Sequence, residues 1–192
     1  MIIDPSGIEP VTRMQVTITF MRMTMAPAYP RFLLPVGWML EHGVHPSVAD
    51  YRYLQDRVGR SCCWWMRQAA SDELLSRILA QRGTAIGLLR EYSVVRGFYE
   101  LDRRDPEDVN LSYFGLFPQA IGRGVGRAFL DGVLREAWRG PTRQVRVNTC
   151  TADHPRARQL YLQAGFRPVR QVDELWNVPD RLGLDIPAHL RV

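Results

Sequence analysis

Residues 113–138 constrain the chain most. An apolar strand runs out through Phe117-Pro118-Gln119-Ala120-Ile121 and crosses Gly122-Arg123-Gly124-Val125-Gly126. It then enters a helix in which Val125, Phe129, Leu130, Val133, Leu134, Ala137 and Trp138 recur at helical spacing until Gly140-Pro141. Glycine lets backbone N–H groups approach an anion without interference from Cβ, and the following helix points the positive end of its dipole at the same place. The stretch therefore reads as a diphosphate cradle. Nucleoside-triphosphate loops and dinucleotide folds use the same physics, but here no Lys-Ser or Lys-Thr follows the last glycine, and the early strand and downstream acid of a dinucleotide fold are missing. A tight strand-to-helix turn without a ligand stays open on this stretch alone.

Around it the pattern alternates between strand and helix. Residues 1–14, with Asp4-Pro5, Gly7 and Pro10, show no periodicity and read as a loose leader; residues 15–23 alternate as a first strand. Prolines 27, 30 and 35 hold a loop open. A helix is expected over 46–58, with Val48, Tyr51, Leu54 and Val58 on one side, and a second one capped by Ser71, with Leu74, Leu75, Ile78 and Leu79 inward. Between them Cys62-Cys63-Trp64-Trp65-Met66 is apolar where a loop should be polar. It serves either as a core plug or as a pocket wall or homodimer contact.

Residues 84–90 and 94–103 form a hairpin about 91–93, and 107–117 follow antiparallel. In that third strand the alternation slips from Val109, Leu111 and Tyr113 to Phe114 and Leu116, which suggests a β-bulge near Gly115. A strand over 143–149, a helix from Asp153-His154-Pro155 to Gly165, and a strand over 166–172 complete the layout. Residues 174–192 read as an arm packing on a single 15–173 domain, which 192 residues at 46% hydrophobic content can support.

No apolar run is long enough to span a bilayer, and residues 1–14 lack the regions of a signal peptide, so no membrane partner and a cytoplasmic location are expected. Cys62, Cys63 and Cys150 have no zinc-like spacing, so no metal is expected and reduced thiols are the simpler reading. The net charge of +5 sets 25 basic against 20 acidic residues without a Lys/Arg block, which argues against a nucleic-acid partner and suits a small polyanionic cofactor.

Two segments together resemble the GCN5-related N-acetyltransferase (GNAT) superfamily: the loop Gly122-Arg123-Gly124-Val125-Gly126, and the later Ala157, Leu160-Tyr161 and Ala164-Gly165-Phe166, in the right order and spacing over about residues 14–173. The resemblance implies an α/β fold with a mixed, mostly antiparallel sheet, a bulged central strand and helices on both faces. It also implies acetyl-CoA as cosubstrate and a primary amine of a small molecule or short peptide as acceptor, with direct transfer in a ternary complex. By position, Ile121, Gly122, Arg123, Gly124, Val125, Gly126 and Arg127 would hold the pyrophosphate, and the backbone of Phe114 and Leu116 would pair with pantetheine. Tyr161 would lie near the thioester sulfur, donating a proton or a hydrogen bond as the thiolate leaves. Two positions depart from the superfamily pattern: Ile121 stands where glutamine or arginine is usual, and His154 where asparagine is common, either as a cap neighbour, touching the pantetheine arm or accepting a proton.

An attacking ammonium must first lose a proton, so an acid on a central strand is expected to serve as base. Glu100 is the choice, since it interrupts the apolar Phe98-Tyr99-Glu100-Leu101, and Asp102 is second. The rival enzymatic route uses a thiol intermediate at Cys150. The rival function is a non-catalytic acyl-CoA-binding sensor or interaction module. For the acceptor pocket, residues 27–46 and 60–68 combine Arg31, Arg60 and Arg67 with Phe32, Trp38, Trp64 and Trp65 and contain one acid, Glu41. That composition favours an acceptor with an apolar body and a carboxylate or phosphate.

Overall fold

The structure, a computed structural model, describes residues 9–192. Seven strands form one sheet: β1 Val11–Met23, β2 Trp38–Val44, β3 Thr84–Glu91, β4 Val94–Asp102, β5 Asp108–Leu116, β6 Gln144–Cys150 and β7 Arg167–Pro179, in the order β2-β3-β4-β5-β6-β1-β7. All neighbours are antiparallel except β5 and β6. Helices cover both faces: α1 Val48–Gly59, α2 Trp65–Ala69 and α3 Asp72–Leu79 on one, α4 Gly126–Ala137 and α5 Ala157–Ala164 on the other.

Three strands depart from the reading of the sequence, and so does α2, which is helical from Trp65 to Ala69 where a loop was read. Strand β2 lies in what reads as a proline loop; it pairs only with β3, at the sheet edge, so its alternation carries little burial signal. Strand β1 starts at Val11 and Met14 is fully buried, so residues 11–14 are strand, whereas residues 1–8 of the expected leader lie outside the described residues. Strand β7 runs on to Pro179 because β1 pairs with it along its whole length, Val11 opposite Pro179. The chain's first strand thus sits between two of its last ones. Beyond β7, residues 180–192 contribute Leu182, Leu184, Ile186 and Leu190 to a cluster around Met14, Val16, Trp65 and Trp176.

The main core forms where α4 packs on the sheet. Phe129, Val133, Leu134 and Ala137 are fully buried against Tyr99, Leu101, Val109 and Val145. Truncating such an aromatic would cost about 3–5 kcal/mol, which is why the position of α4 is fixed. On the opposite face α1 comes close to β5 at Gly115, where a Cβ would stand 2.2 Å from Val58 Cγ1. That glycine serves helix packing, and the β-bulge lies elsewhere. The β4–β5 register shifts between Leu101 opposite Leu111 and Glu100 opposite Tyr113, leaving Ser112 as the extra residue. No helix among the described residues is long and apolar enough to cross a membrane.

Candidate functional site

β5 and β6 pair only from Asp108 opposite Gln144 to Leu111 opposite Val147. Past that point β5 stays with β4 as far as Leu116 and β6 stays with β1 as far as Cys150, so the two part and leave a slot in the sheet. The glycine loop and α4 follow directly from the β5 side of the slot. Gly122 (φ 80°) and Gly124 (φ 75°) occupy the left-handed region, and a Cβ on either would meet nothing within 4 Å. No side chain caps α4, whose N-cap is Val125, so the first-turn N–H groups have no side-chain acceptor. Such an end with open room beside it fits a phosphate group.

The expected loop residues do not all have free side chains. The Arg123 guanidinium is held bidentately by Glu91, at 2.8 and 2.7 Å, and stacks over Trp38. Val125 is buried core and offers the loop only its backbone. Ile121 is exposed. Arg127 makes no ion pair among the described residues; its guanidinium lies 4.0 Å above the Phe32 ring. Phe32 is itself strapped to α4, its N–H donating to the buried Asp131 at 3.1 Å, while Arg135 bridges Asp131 and the Tyr29 carbonyl.

Tyr161 of α5 is 5% exposed and packs edge-on against Phe166 and tilted against Phe114 of β5. Its hydroxyl has no hydrogen-bond partner among the described residues. Burial raises its pKa, with the nearby Asp153 carboxylate and the Cys62 thiol adding to the rise. His154 is exposed at the entry to α5 and accepts the Arg156 N–H through Nδ1 at 3.2 Å.

Asp153 is a site residue that the reading of the sequence passed over as part of a helix start. Its carboxylate accepts from Thr149 Oγ1 (2.8 Å), the Cys150 N–H (2.9 Å) and Trp64 Nε1 (3.2 Å), and burial raises its pKa. Trp64 also packs on Tyr113 at 5.0 Å, so it reaches from β5 to the end of β6 and walls the slot. Its neighbour Trp65 turns to Trp176 in the other cluster; Cys63, at φ 52°, makes the turn between them. The Cys62–Met66 segment is thus plug and wall at once.

Glu100 is 2% exposed, on the same face as Tyr113. Arg67 Nη2 donates to its Oε1 at 2.9 Å and the Tyr51 hydroxyl donates to its Oε2, so both oxygens are engaged. Asp102 is held by Arg104 through Nε at 2.9 and 3.0 Å, which lowers its pKa. The residues expected to build an acceptor pocket do not meet. Phe32 is on the α4 side, Trp38 on the edge strand, and Trp64 and Arg67 lie across the sheet, because β2 takes residues 38–44 of the first segment onto the sheet edge.

Burial also raises the pKa of Cys63 to about 11 and that of Cys150 to about 12, with the Asp153 carboxylate adding to the rise of each. Both thiols should therefore resist iodoacetamide at pH 7.5 in the folded protein and react once it is unfolded in urea, read by mass spectrometry; rapid native alkylation of Cys150 would mark an activated thiolate.

No family model matches the sequence, and no curated protein matches it. Solved structures match the fold. A GCN5-related N-acetyltransferase from Sphaerobacter thermophilus gives a TM-score of 0.63 at 20% identity, over 89% of this chain and 53% of that one. An acetyltransferase of the GNAT family from Novosphingobium aromaticivorans gives 0.57 at 15%, over 91% and 70%. The aminoglycoside N-acetyltransferase AAC(6')-Iy, solved in complex with CoA, gives 0.53 at 18%, over 73% and 95%. The chain spans about half the length of several structures it matches. Its fold is that of the GCN5-related N-acetyltransferases.

Proposed function

We propose that the chain is a GCN5-related N-acetyltransferase moving an acetyl group from acetyl-CoA to a primary amine within a ternary complex. The observation that carries this reading is the parting of β5 from β6 beside the uncapped glycine end of α4. An extended pantetheine arm would add to the exposed backbone of Phe114 and Leu116 as another strand, while the first-turn N–H groups of α4 hold the diphosphate. Acetyl-CoA supplies the acetyl group as a thioester. Arg127 adds positive charge at the loop; Arg123 instead braces the loop against β3 through Glu91. His154, exposed at the entry to α5, would lie near the pantetheine arm.

Tyr161 is protonated at neutral pH, as any phenol is, and burial strengthens that preference, which is the state a donor needs. Water takes one proton from the ammonium before attack; as the amine nitrogen bonds to the carbonyl carbon and the C–S bond breaks, Tyr161 gives its proton to the sulfur and regains one from the second proton that the nitrogen sheds. A Cys150 thiol held at a pKa of about 12 is a poor nucleophile, which favours direct transfer over an acyl-enzyme.

The engagement of the carboxylates of Glu100 and Asp153 is what favours a second reading, an acyl-CoA-binding sensor without turnover. Calorimetry with acetyl-CoA, run beside release of free CoA over an amine panel, separates the readings. Binding with turnover supports the enzyme, binding without turnover the sensor, and no binding rejects both.

Glu100 has a test of its own. Removing one partner of a buried pair costs about 3–5 kcal/mol; Arg67 keeps 24% of its side-chain exposure, so Glu100→Gln should cost about 3 kcal/mol in urea denaturation. If Glu100 anchors α2, turnover per folded molecule and its pH profile survive. A loss of about 100-fold in kcat at unchanged stability would make it the base instead.

A further inference from the structure

The sheet face opposite α4 is only partly covered. Below the slot it is left bare, forming a depression of about 450 Å³ over β4, β5, β6, β1 and the start of β7. The strand registers line up one residue from each of these strands: Asp102, Asn110, Arg146 and Arg22, which line the depression, and Arg167 opposite Arg22. Three arginines therefore stand directly opposite one another on adjacent strands, an arrangement that destabilises a sheet by like-charge repulsion. The local acids are engaged: Asp108 accepts from Arg146 Nε at 2.6 Å, and Asp102 is held by Arg104. None of the ion pairs among the described residues includes Arg22, Arg167 or Arg170. In the next row Asn148 faces Phe20 and Phe20 faces Arg170, whose guanidinium lies 4.3 Å above the ring. Asn148 comes one residue after Val147, the last β6 residue paired with β5, so the depression begins where the slot opens.

We infer that this arginine row is an anion site and that it holds the carboxylate or phosphate of the acceptor, with the acceptor's amine at the Asn148 end, facing the slot. Guanidinium groups on neighbouring strands match the oxygens of either anion as forks, and a bound anion turns the repulsion between Arg146 and Arg22 into attraction. Asn148, and Asn110 beside it, which donates to Ser112 Oγ at 3.0 Å, offer amides to the rest of the molecule. That the ligand is an amine acceptor rests on the acyl-transfer reading; the anion site does not.

The test titrates the full chain with inorganic phosphate, and separately with acetate, following backbone and arginine Nε–Hε resonances by NMR. Saturable shifts are expected at Arg22, Arg146, Arg170 and Asn148, weakened at least about tenfold by Arg22→Gln and unaffected by Gly126→Val. Shifts confined to residues 122–128, or indifferent to Arg22→Gln, would overturn the site. Arg22→Gln should also raise Tm without phosphate and shrink the rise that phosphate produces, whereas an arginine with a merely structural role would lower Tm when lost. In the kinetic arm, amines bearing a carboxylate or phosphate should exceed their amide or dephosphorylated counterparts at least about tenfold in kcat/KM, and Arg22→Gln should erase that preference through KM. Preference for neutral amines or polyamines would overturn the acceptor assignment. If no amine is acetylated, the acyl-transfer reading fails and the resonance shifts alone decide whether the row binds anions.

Discussion

Replacing Gly126 with valine is expected to abolish acetyl-CoA binding while the protein stays folded. The residue opens α4, and its φ lies outside the left-handed region. A Cβ there would come only within ordinary contact of the protein, 3.8 Å from Leu116 Cδ1 and 4.0 Å from Leu160 Cδ2. A branched side chain would fill the room in which a diphosphate meets the first-turn N–H groups. Losing two charge-assisted hydrogen bonds at about 1.5–3 kcal/mol each weakens binding by roughly 10²- to 10⁴-fold. Calorimetry would read the loss, and a thermal melt would show the fold intact. Gly124→Val makes the contrast: at φ 75° valine is also strained, by about 1–2 kcal/mol, so that variant should lose both binding and stability. Wild-type affinity in both variants would place the cofactor elsewhere.

Tyr161→Phe should lower kcat by about 10²- to 10⁴-fold, the range of general acid–base effects, with the acetyl-CoA Kd changed less than about twofold. Removing a buried hydroxyl is often expensive because its partner is orphaned, but this hydroxyl has no partner among the described residues, so stability should hold or rise slightly. The ring keeps its packing on Phe114 and Phe166 in the variant. If the hydroxyl is the donor, the loss should shrink when the leaving thiol is made more acidic, since such a thiolate departs with less help. A loss in Kd with kcat untouched would reassign Tyr161 to binding.

The parts of the site legible in the sequence are those set by local physics. Gly122 and Gly124 announce positive φ, the spacing from Val125 to Ala137 announces a helix with one buried face, and Gly165, at φ 106°, ends α5 where the sequence places the end of that helix. Each depends on residues within a turn or two of itself. The bulge was legible as a slip in alternation but not in place, because Gly115 drew attention for a reason that belongs to Val58 of α1.

What only the tertiary structure decided is long-range pairing. Strand β1 enters the sheet between β6 and β7, residues more than a hundred positions away. That insertion aligns Arg146, Arg22 and Arg167 across three strands, and no window of sequence contains even two of them at strand spacing. Glu100 likewise reads as an interruption in an apolar strand; its partners Arg67 and Tyr51 come from helices that reach it only when α1 and α2 fold over β4. Backbone conformation is written residue by residue, through sterics and periodicity. Which charges face each other is written in strand register, and register is a property of the assembled sheet.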